Sequence, residues 1–343
     1  MKFSKVVIES LAWVKPPVEV TSDEIERRLA PAYERLRLPT GRLELMTGIR
    51  SRHFWERPVL PSWASAQAGA KLLSVSRILR ERIGLIAHCG VCRDRMEPAT
   101  ASYVHELLGL GPRTQILDIS NACLGFLNGM LLAAGLIESG QVESALVVTG
   151  EDGLPLLENT VRSFLDPAQT RSSVKGLFAN LTIGAGAAAA MLCHENLAPD
   201  AMRLNAAVVQ TDSSANRLCQ GGGAAEGGLQ METDSEALLE AGLGVASRAW
   251  QSFEAETGWT AETPDRVICH QVGRAHQRRL LETLGIDEAK DFPTYQFMGN
   301  TGSAALPMSL AAALEAGALA KGQRAALLGI GSGISSIMMA VEA

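Results

Sequence analysis

Short runs of four to eight apolar residues, many of them β-branched, alternate along this chain with longer stretches of helical periodicity, and no other feature restricts the fold as much. Strands apolar on both faces need helices on both sides of their sheet, so the chain is read as α/β. The pattern predicts strands at 6–8, 83–87, 115–119, 144–149, 187–192, 204–210, 266–269, 325–328 and 337–341. It predicts helices at 63–78, 99–108, 124–139, 235–257, 274–284 and 304–316. A further helix is expected after Thr21, where Thr21 and Glu24 have the spacing of a capping box, continuing through Ile25, Leu29 and Tyr33.

Two stretches look alike. Residues 83–88, then a loop, a helix and Leu108-Gly109-Leu110, resemble 266–271, then a loop, a helix and Leu284-Gly285-Ile286. Segments 115–130 and 325–338 are expected to continue the parallel, each placing small residues where a strand ends. The expectation is a weak duplication: two halves, residues 1–195 and 196–343, sharing one layered core. The stretch from Gly221 to Gly228 lacks the Lys-Ser/Thr ending of a phosphate loop and is expected to be a flexible connector.

Composition removes several classes. With 31 Lys+Arg against 37 Asp+Glu, a net charge of −6 and 5% aromatic residues, the chain has no basic, aromatic surface for nucleic acid. At 47% hydrophobic it is not a disordered chain. Its longest nearly unbroken apolar run, 183–193, falls short of the roughly 20 residues that span a bilayer, so no membrane span is expected. Glu9 comes too early for the apolar core of a signal peptide, and six cysteines in 343 residues fit reduced thiols better than a disulfide framework. The expected compartment is the cytoplasm. His88-Cys89-Gly90-Val91-Cys92 offers one CxxC without a second ligand pair, which fits buried or interface thiols better than zinc.

The most informative segment runs from Gln115 to Met130, where an apolar strand turns sharply through Ser120-Asn121-Ala122-Cys123 into an apolar helix. A cysteine at a helix N-terminus is favoured as the thiolate by the helix dipole. Alone, Cys123 reads as well as a small buried hydrophobe. Acyl transfer through a cysteine also needs an imidazole and donors for a developing oxyanion. His270 ends a strand, Asn300 sits in the Gly-flanked turn Gly299-Asn300-Thr301-Gly302, and Gly329-Ile330-Gly331-Ser332-Gly333 lets backbone approach a ligand closely. His270 alone could be a core histidine and Asn300 a turn residue; their joint occurrence points to a site.

These four motifs, in this order, resemble the ketoacyl synthase III branch of the thiolase superfamily over essentially the whole chain. The resemblance implies a five-layered α/β/α/β/α fold of two pseudo-duplicated halves, a homodimer, and no metal or redox cofactor. It assigns Cys123 as the acylated nucleophile and His270 and Asn300 as stabilisers of a thioester oxyanion or enolate. The backbone amides of Cys123 and Ser332 would form a second oxyanion hole. Within the branch, the run Arg93-Asp94-Arg95-Met96-Glu97-Pro98-Ala99 and the pair Leu218-Cys219 are similar to OleA-type enzymes, which join two fatty acyl-CoA molecules head to head. The matching glutamate there is thought to reach into the partner's site as a base, so Glu97 takes that role by resemblance. Alone, Glu97 reads as a carboxylate leading a helix.

The implied activity is a non-decarboxylative Claisen condensation of two fatty acyl-CoA thioesters to a β-ketoacyl product. The alternative is a decarboxylating β-ketoacyl synthase III that takes malonyl-acyl carrier protein. Helices around Leu124 and Ala304 are expected to wall the acyl tunnels.

Overall fold

A computed structural model describes residues 1–224 and 228–343. The apolar runs become strands in chain order: β1 (Val6–Val14), β2 (Val18–Thr21), β3 (Ser51–Phe54), β4 (Leu85–Cys89), β5 (Gln115–Ile119), β6 (Ser144–Glu151) and β7 (Gly186–His194). There follow β8 (Met202–Thr211), β9 (Cys219–Ala224), β10 (Gly228–Thr233), β11 (Arg266–Cys269), β12 (Arg324–Gly331) and β13 (Ser335–Glu342). Nine of them form one mixed sheet in the order β11-β12-β13-β8-β1-β7-β6-β4-β5.

The sheet repeats itself. In one half β1, β7 and β6 are successively antiparallel, and β4 and β5 add in parallel. In the other half β8, β13 and β12 are antiparallel and β11 adds in parallel. Pairing of Val7 with Arg203 and Ile8 with Met202 joins the halves. The counterpart of β5 shrinks to a parallel bridge between Val267 and Asp291.

This topology supports the likeness of 83–88 to 266–271, because β4 lies beside β6 as β11 lies beside β12. It does not support the pairing of 115–130 with 325–338. Strand β5 leads into a helix, whereas β12 turns straight back into antiparallel β13; its counterpart β6 also pairs antiparallel with the next strand, β7, across a helical insertion. Small residues at strand ends are common to both turns and do not distinguish them.

Three apolar cores make the layers. Helices Gly125–Glu138 and Ala305–Glu315 share a central core with both sheet halves, in which Leu127 and Leu310 meet Leu85, Val147, Leu327 and Ile337. Helices Pro61–Leu73 and Thr100–Leu108 bury Ala68, Leu72 and Val104 in a second core against one half. Helices Ser235–Thr257 and Arg274–Leu284 bury Trp250, Phe253 and Leu281 in a third core against the other half. The succession is α/β/α/β/α. Close approach at the centre requires Gly129, where a Cβ would stand 2.5 Å from Cys89 Sγ and 2.9 Å from Val147 Cγ1.

Three local expectations change. The helix after Thr21 is two helices, Ser22–Arg28 and Ala30–Leu36, broken at Leu29 because Pro31 fits only the first turn of a new helix. Thr21 does cap the first, accepting the Glu24 amide at 3.1 Å. The glycine-rich connector belongs in part to an antiparallel hairpin, with Gln220 opposite Glu232 and Gly221 opposite Met231; residues 225–227 of that stretch lie outside the described residues. Helix Leu154–Leu165 was not expected, although it buries Leu157, Val161 and Phe164 along one face and carries Pro155 in its first turn. No helix among the described residues is long and apolar enough to cross a membrane.

Candidate active site

The turn between β5 and helix Gly125–Glu138 holds Ala122 at φ +45°, a left-handed conformation that a non-glycine residue adopts only when its surroundings impose it. Several bonds impose it here. The Leu124 amide donates to Asn121 O at 2.9 Å and the Gly125 amide to Ala122 O at 3.2 Å. Asn121 Nδ2 donates to Asn128 Oδ1 at 2.9 Å, and Ser303 Oγ donates to Ala122 O at 2.7 Å. The result presents Cys123 at the floor of a cavity of about 940 Å³.

Cys123 precedes the helix rather than opening it, since Leu124 is the cap residue. Although the cavity leaves the residue half-buried, burial of the thiol, with Cys219 and Glu151 nearby, pushes it up to about 12. The expected dipole-stabilised thiolate is therefore corrected to a resting thiol: removal from water outweighs the helix end.

His270 follows β11, where its amide donates to Leu328 O at 3.0 Å. The ring is buried, and neither Nδ1 nor Nε2 has a hydrogen-bond partner among the described residues. Burial, with His276 beside it, pulls its pKa down to about 3, so the imidazole is neutral. Two unpaired ring nitrogens at a cavity wall are costly unless a ligand fills their valence. Cys269, one residue earlier, points into the outer core, as strand alternation requires.

Asn300 is fixed through its backbone, donating to Thr182 O and accepting the Gly184 amide, both at 2.9 Å. Gly299 before it has φ +66°, and a Cβ there would stand 2.5 Å from Thr182 O. Asn300 Oδ1 accepts the Gly302 amide at 3.0 Å, leaving the side-chain NH2 as the free donor end. Gln271 ties this region to the histidine strand: its Oε1 accepts the Thr294 and Tyr295 amides at 2.8 and 3.1 Å.

Cys123, His270, Asn300 and Ser332 thus line one cavity. Apolar wall comes from Leu156, Leu238, Leu243 and Leu280, on three helices. The expectation of walls from the helices around Leu124 and Ala304 is corrected, because those helices spend their apolar faces on the central core. Glu97 does not line the cavity within one protomer. It is exposed, beside Met96 at 86% exposure, in a loop whose next helix is held to β5 by Asp118 accepting the Thr100 and Ala101 amides.

Glu151 was missed. It ends β6, lines the cavity, is 6% exposed, and burial pushes its carboxyl up to about 7. The signal was an acidic pair, Glu151-Asp152, closing an apolar strand. Cys89 is buried beneath the central helix and Cys92 lines the cavity, which separates the two thiols of the CxxC. Among the described residues no group of three or more His, Cys, Asp or Glu is placed to hold a metal ion.

A thiol, a neutral imidazole with unpaired nitrogens and an amide donor around an apolar cavity suit acyl transfer through a thioester. Residues 117–213 match the family of 3-oxoacyl-[acyl-carrier-protein (ACP)] synthase III, and 255–343 match its C-terminal family. The chain is 38% identical over 350 residues to the acyl-CoA:acyl-CoA alkyltransferase of Shewanella oneidensis, covering all of both chains. It is 25% identical to a β-ketoacyl-[acyl-carrier-protein] synthase III of Neisseria gonorrhoeae, covering 93% of each. The crystal structure of cerulenin-bound Xanthomonas campestris OleA superposes with a TM-score of 0.96 at 38% identity, covering 100% of this chain and 98% of that one. Further solved forms of that enzyme carry a replaced cysteine, histidine or glutamate. The chain belongs to the OleA-type condensing enzymes of the thiolase superfamily, the family of the acyl-CoA:acyl-CoA alkyltransferases.

Proposed function

We propose that this protein joins two fatty acyl-CoA thioesters by a Claisen condensation without decarboxylation. The full-length likeness to an acyl-CoA:acyl-CoA alkyltransferase, well above that to carrier-protein synthases, carries the reading and disfavours malonyl-acyl carrier protein as the donor. Cys123 attacks the first thioester, its thiol proton passes to the departing CoA sulfur, and an S-acyl enzyme remains. The backbone amides of Cys123 and Ser332 hold the tetrahedral oxyanion; the Ser332 amide has no backbone acceptor among the described residues. A second acyl-CoA then places its carbonyl oxygen on His270 and Asn300 Nδ2. Glu97 of the partner subunit takes the α-proton, the enolate carbon attacks the S-acyl carbonyl, and Cys123 leaves as the thiolate. Return of the proton from Glu97 restores the thiol. The product is a β-ketoacyl-CoA, and the thioesters supply the activation.

The homodimer this requires is supported by the sheet edge. Strand β5 ends the sheet with Ile116 at 42% and Leu117 at 38% exposure, and Leu107 and Leu132, on the two helices packed against it, are also exposed. An apolar edge of this kind is covered in a stable protein. Residues 1–195 supply the nucleophile and this edge, and residues 196–343 supply His270 and Asn300. The six cysteines are free thiols, which suits the cytoplasm.

Purified protein given a long-chain acyl-CoA alone should form a β-ketoacyl product by mass spectrometry, with two acyl chains in each molecule. Product formed only when malonyl-acyl carrier protein is added would overturn the proposal.

A further inference from the structure

Glu151 has no part in the chemistry above, yet it is a buried carboxylate of this cavity that bonds two of the loops around it. Its Oε1 accepts the Val91 amide at 2.9 Å and the Ser303 amide at 3.4 Å. Val91 opens the loop that ends at Glu97. Ser303 follows the Asn300 turn, and its hydroxyl donates to Ala122 O at 2.7 Å, on the residue before the nucleophile. One oxygen atom therefore joins two segments far apart in sequence, the 90–97 loop and the Asn300 turn, and the Ser303 hydroxyl extends the link to the Cys123 turn. Space has been kept for it. A Cβ on Gly302, itself at φ +58°, would stand 3.3 Å from Glu151 Oε1. The carboxylate is anchored in turn, since the Glu151 carbonyl accepts from Trp55 Nε1 at 3.3 Å.

Resting on the condensation reading, we propose that Glu151 is a positioning residue: by accepting the Ser303 and Val91 amides, its carboxylate holds the Asn300 turn against Cys123 of its own site and fixes the base of the loop that carries Glu97 to the partner's site. It touches no reacting atom.

The groups that face it do not titrate near neutrality. Cys92 from the loop and Cys123 from its turn are both held near 12 by burial, and the Asn300 turn brings no charge. Asp152, next on its own chain, is raised by burial but spends both oxygens on the Val59 and Leu154 amides. Glu151 itself ionises near 7, so its grip on the two amides strengthens as pH rises through that value.

The test compares Glu151→Gln, which keeps an acceptor at Oε1, with Glu151→Ala, which removes it. Each folded variant, verified by thermal unfolding, is given palmitoyl-CoA alone across pH 5.5–8.5, with wild type as the control for the condensation itself. Glu151→Ala is expected to lower kcat by about 100-fold, the scale of an ångström's misplacement of reacting groups. Glu151→Gln is expected to recover most of that loss at pH 6 and to lack the rise through pH 7 shown by wild type. A step from Asp291, near 6, would persist in both. Glu151→Gln as impaired as Glu151→Ala, or Glu151→Ala as active as wild type, would overturn the positioning role. Absence of product from wild type would instead overturn the condensation reading.

Discussion

Cys123→Ala is expected to lower condensation by on the order of 10⁴- to 10⁶-fold, the loss seen when one member of a catalytic unit that forms a covalent intermediate is removed. The expectation rests on how the chain presents this thiol. It sits beyond a left-handed residue, on a turn held by Ser303 and Asn121, lining the same cavity as an imidazole whose nitrogens have no hydrogen-bond partner among the described residues. Alanine keeps the turn, because the bonds that shape it run through Asn121, Ala122, Asn128 and Ser303. Folding and melting temperature should therefore stay near wild type while the S-acyl enzyme, read by intact-protein mass spectrometry, disappears. An acyl adduct of undiminished yield on Cys123→Ala would place the nucleophile elsewhere, with Cys92 and Cys219, the other thiols lining the cavity, as the positions to examine.

Glu97→Ala is expected to separate the two halves of the reaction. Removing a positioned base costs about 10²- to 10⁴-fold, and that loss should fall on condensation alone. Acylation of Cys123 uses no group on the Glu97 loop, so the S-acyl enzyme should accumulate from acyl-CoA at close to the wild-type rate and then stall. Exposure of Glu97 makes the substitution structurally mild. A variant in which acylation and condensation fall together would indicate a disturbed loop. A variant that condenses normally would remove Glu97 from the mechanism.

The positions legible in the sequence were those where chemistry and backbone geometry coincide. Cys123, His270, Asn300 and Ser332 each follow a strand or sit among glycines, and strand ends with small residues show in one dimension. Register, charge state and assembly did not. The state of the Cys123 thiol follows first from its burial and then from the nearby Cys219 and Glu151, all set by residues distant in sequence, so a reading from the helix end alone reached the wrong sign. Glu151 was invisible because its meaning lies in the amides of Val91 and Ser303, which only the folded sheet brings to it. The hairpin of β9 and β10 was concealed by its glycines, which have low strand preference but pair through backbone alone. Helix Leu154–Leu165 was hidden by its short apolar repeat directly after a strand.

The central claim is a site completed across a dimer and fed by acyl-CoA alone. The most direct measurement takes a heterodimer of one Cys123→Ala and one Glu97→Ala subunit, co-expressed with different tags and purified through both. Each parent homodimer lacks one required group in both sites. In the heterodimer, one site combines Cys123 of one subunit with Glu97 of the other, so with palmitoyl-CoA as sole substrate it should recover about half of wild-type activity per dimer, as two-fold symmetry requires. A heterodimer no more active than its parents would contradict the account.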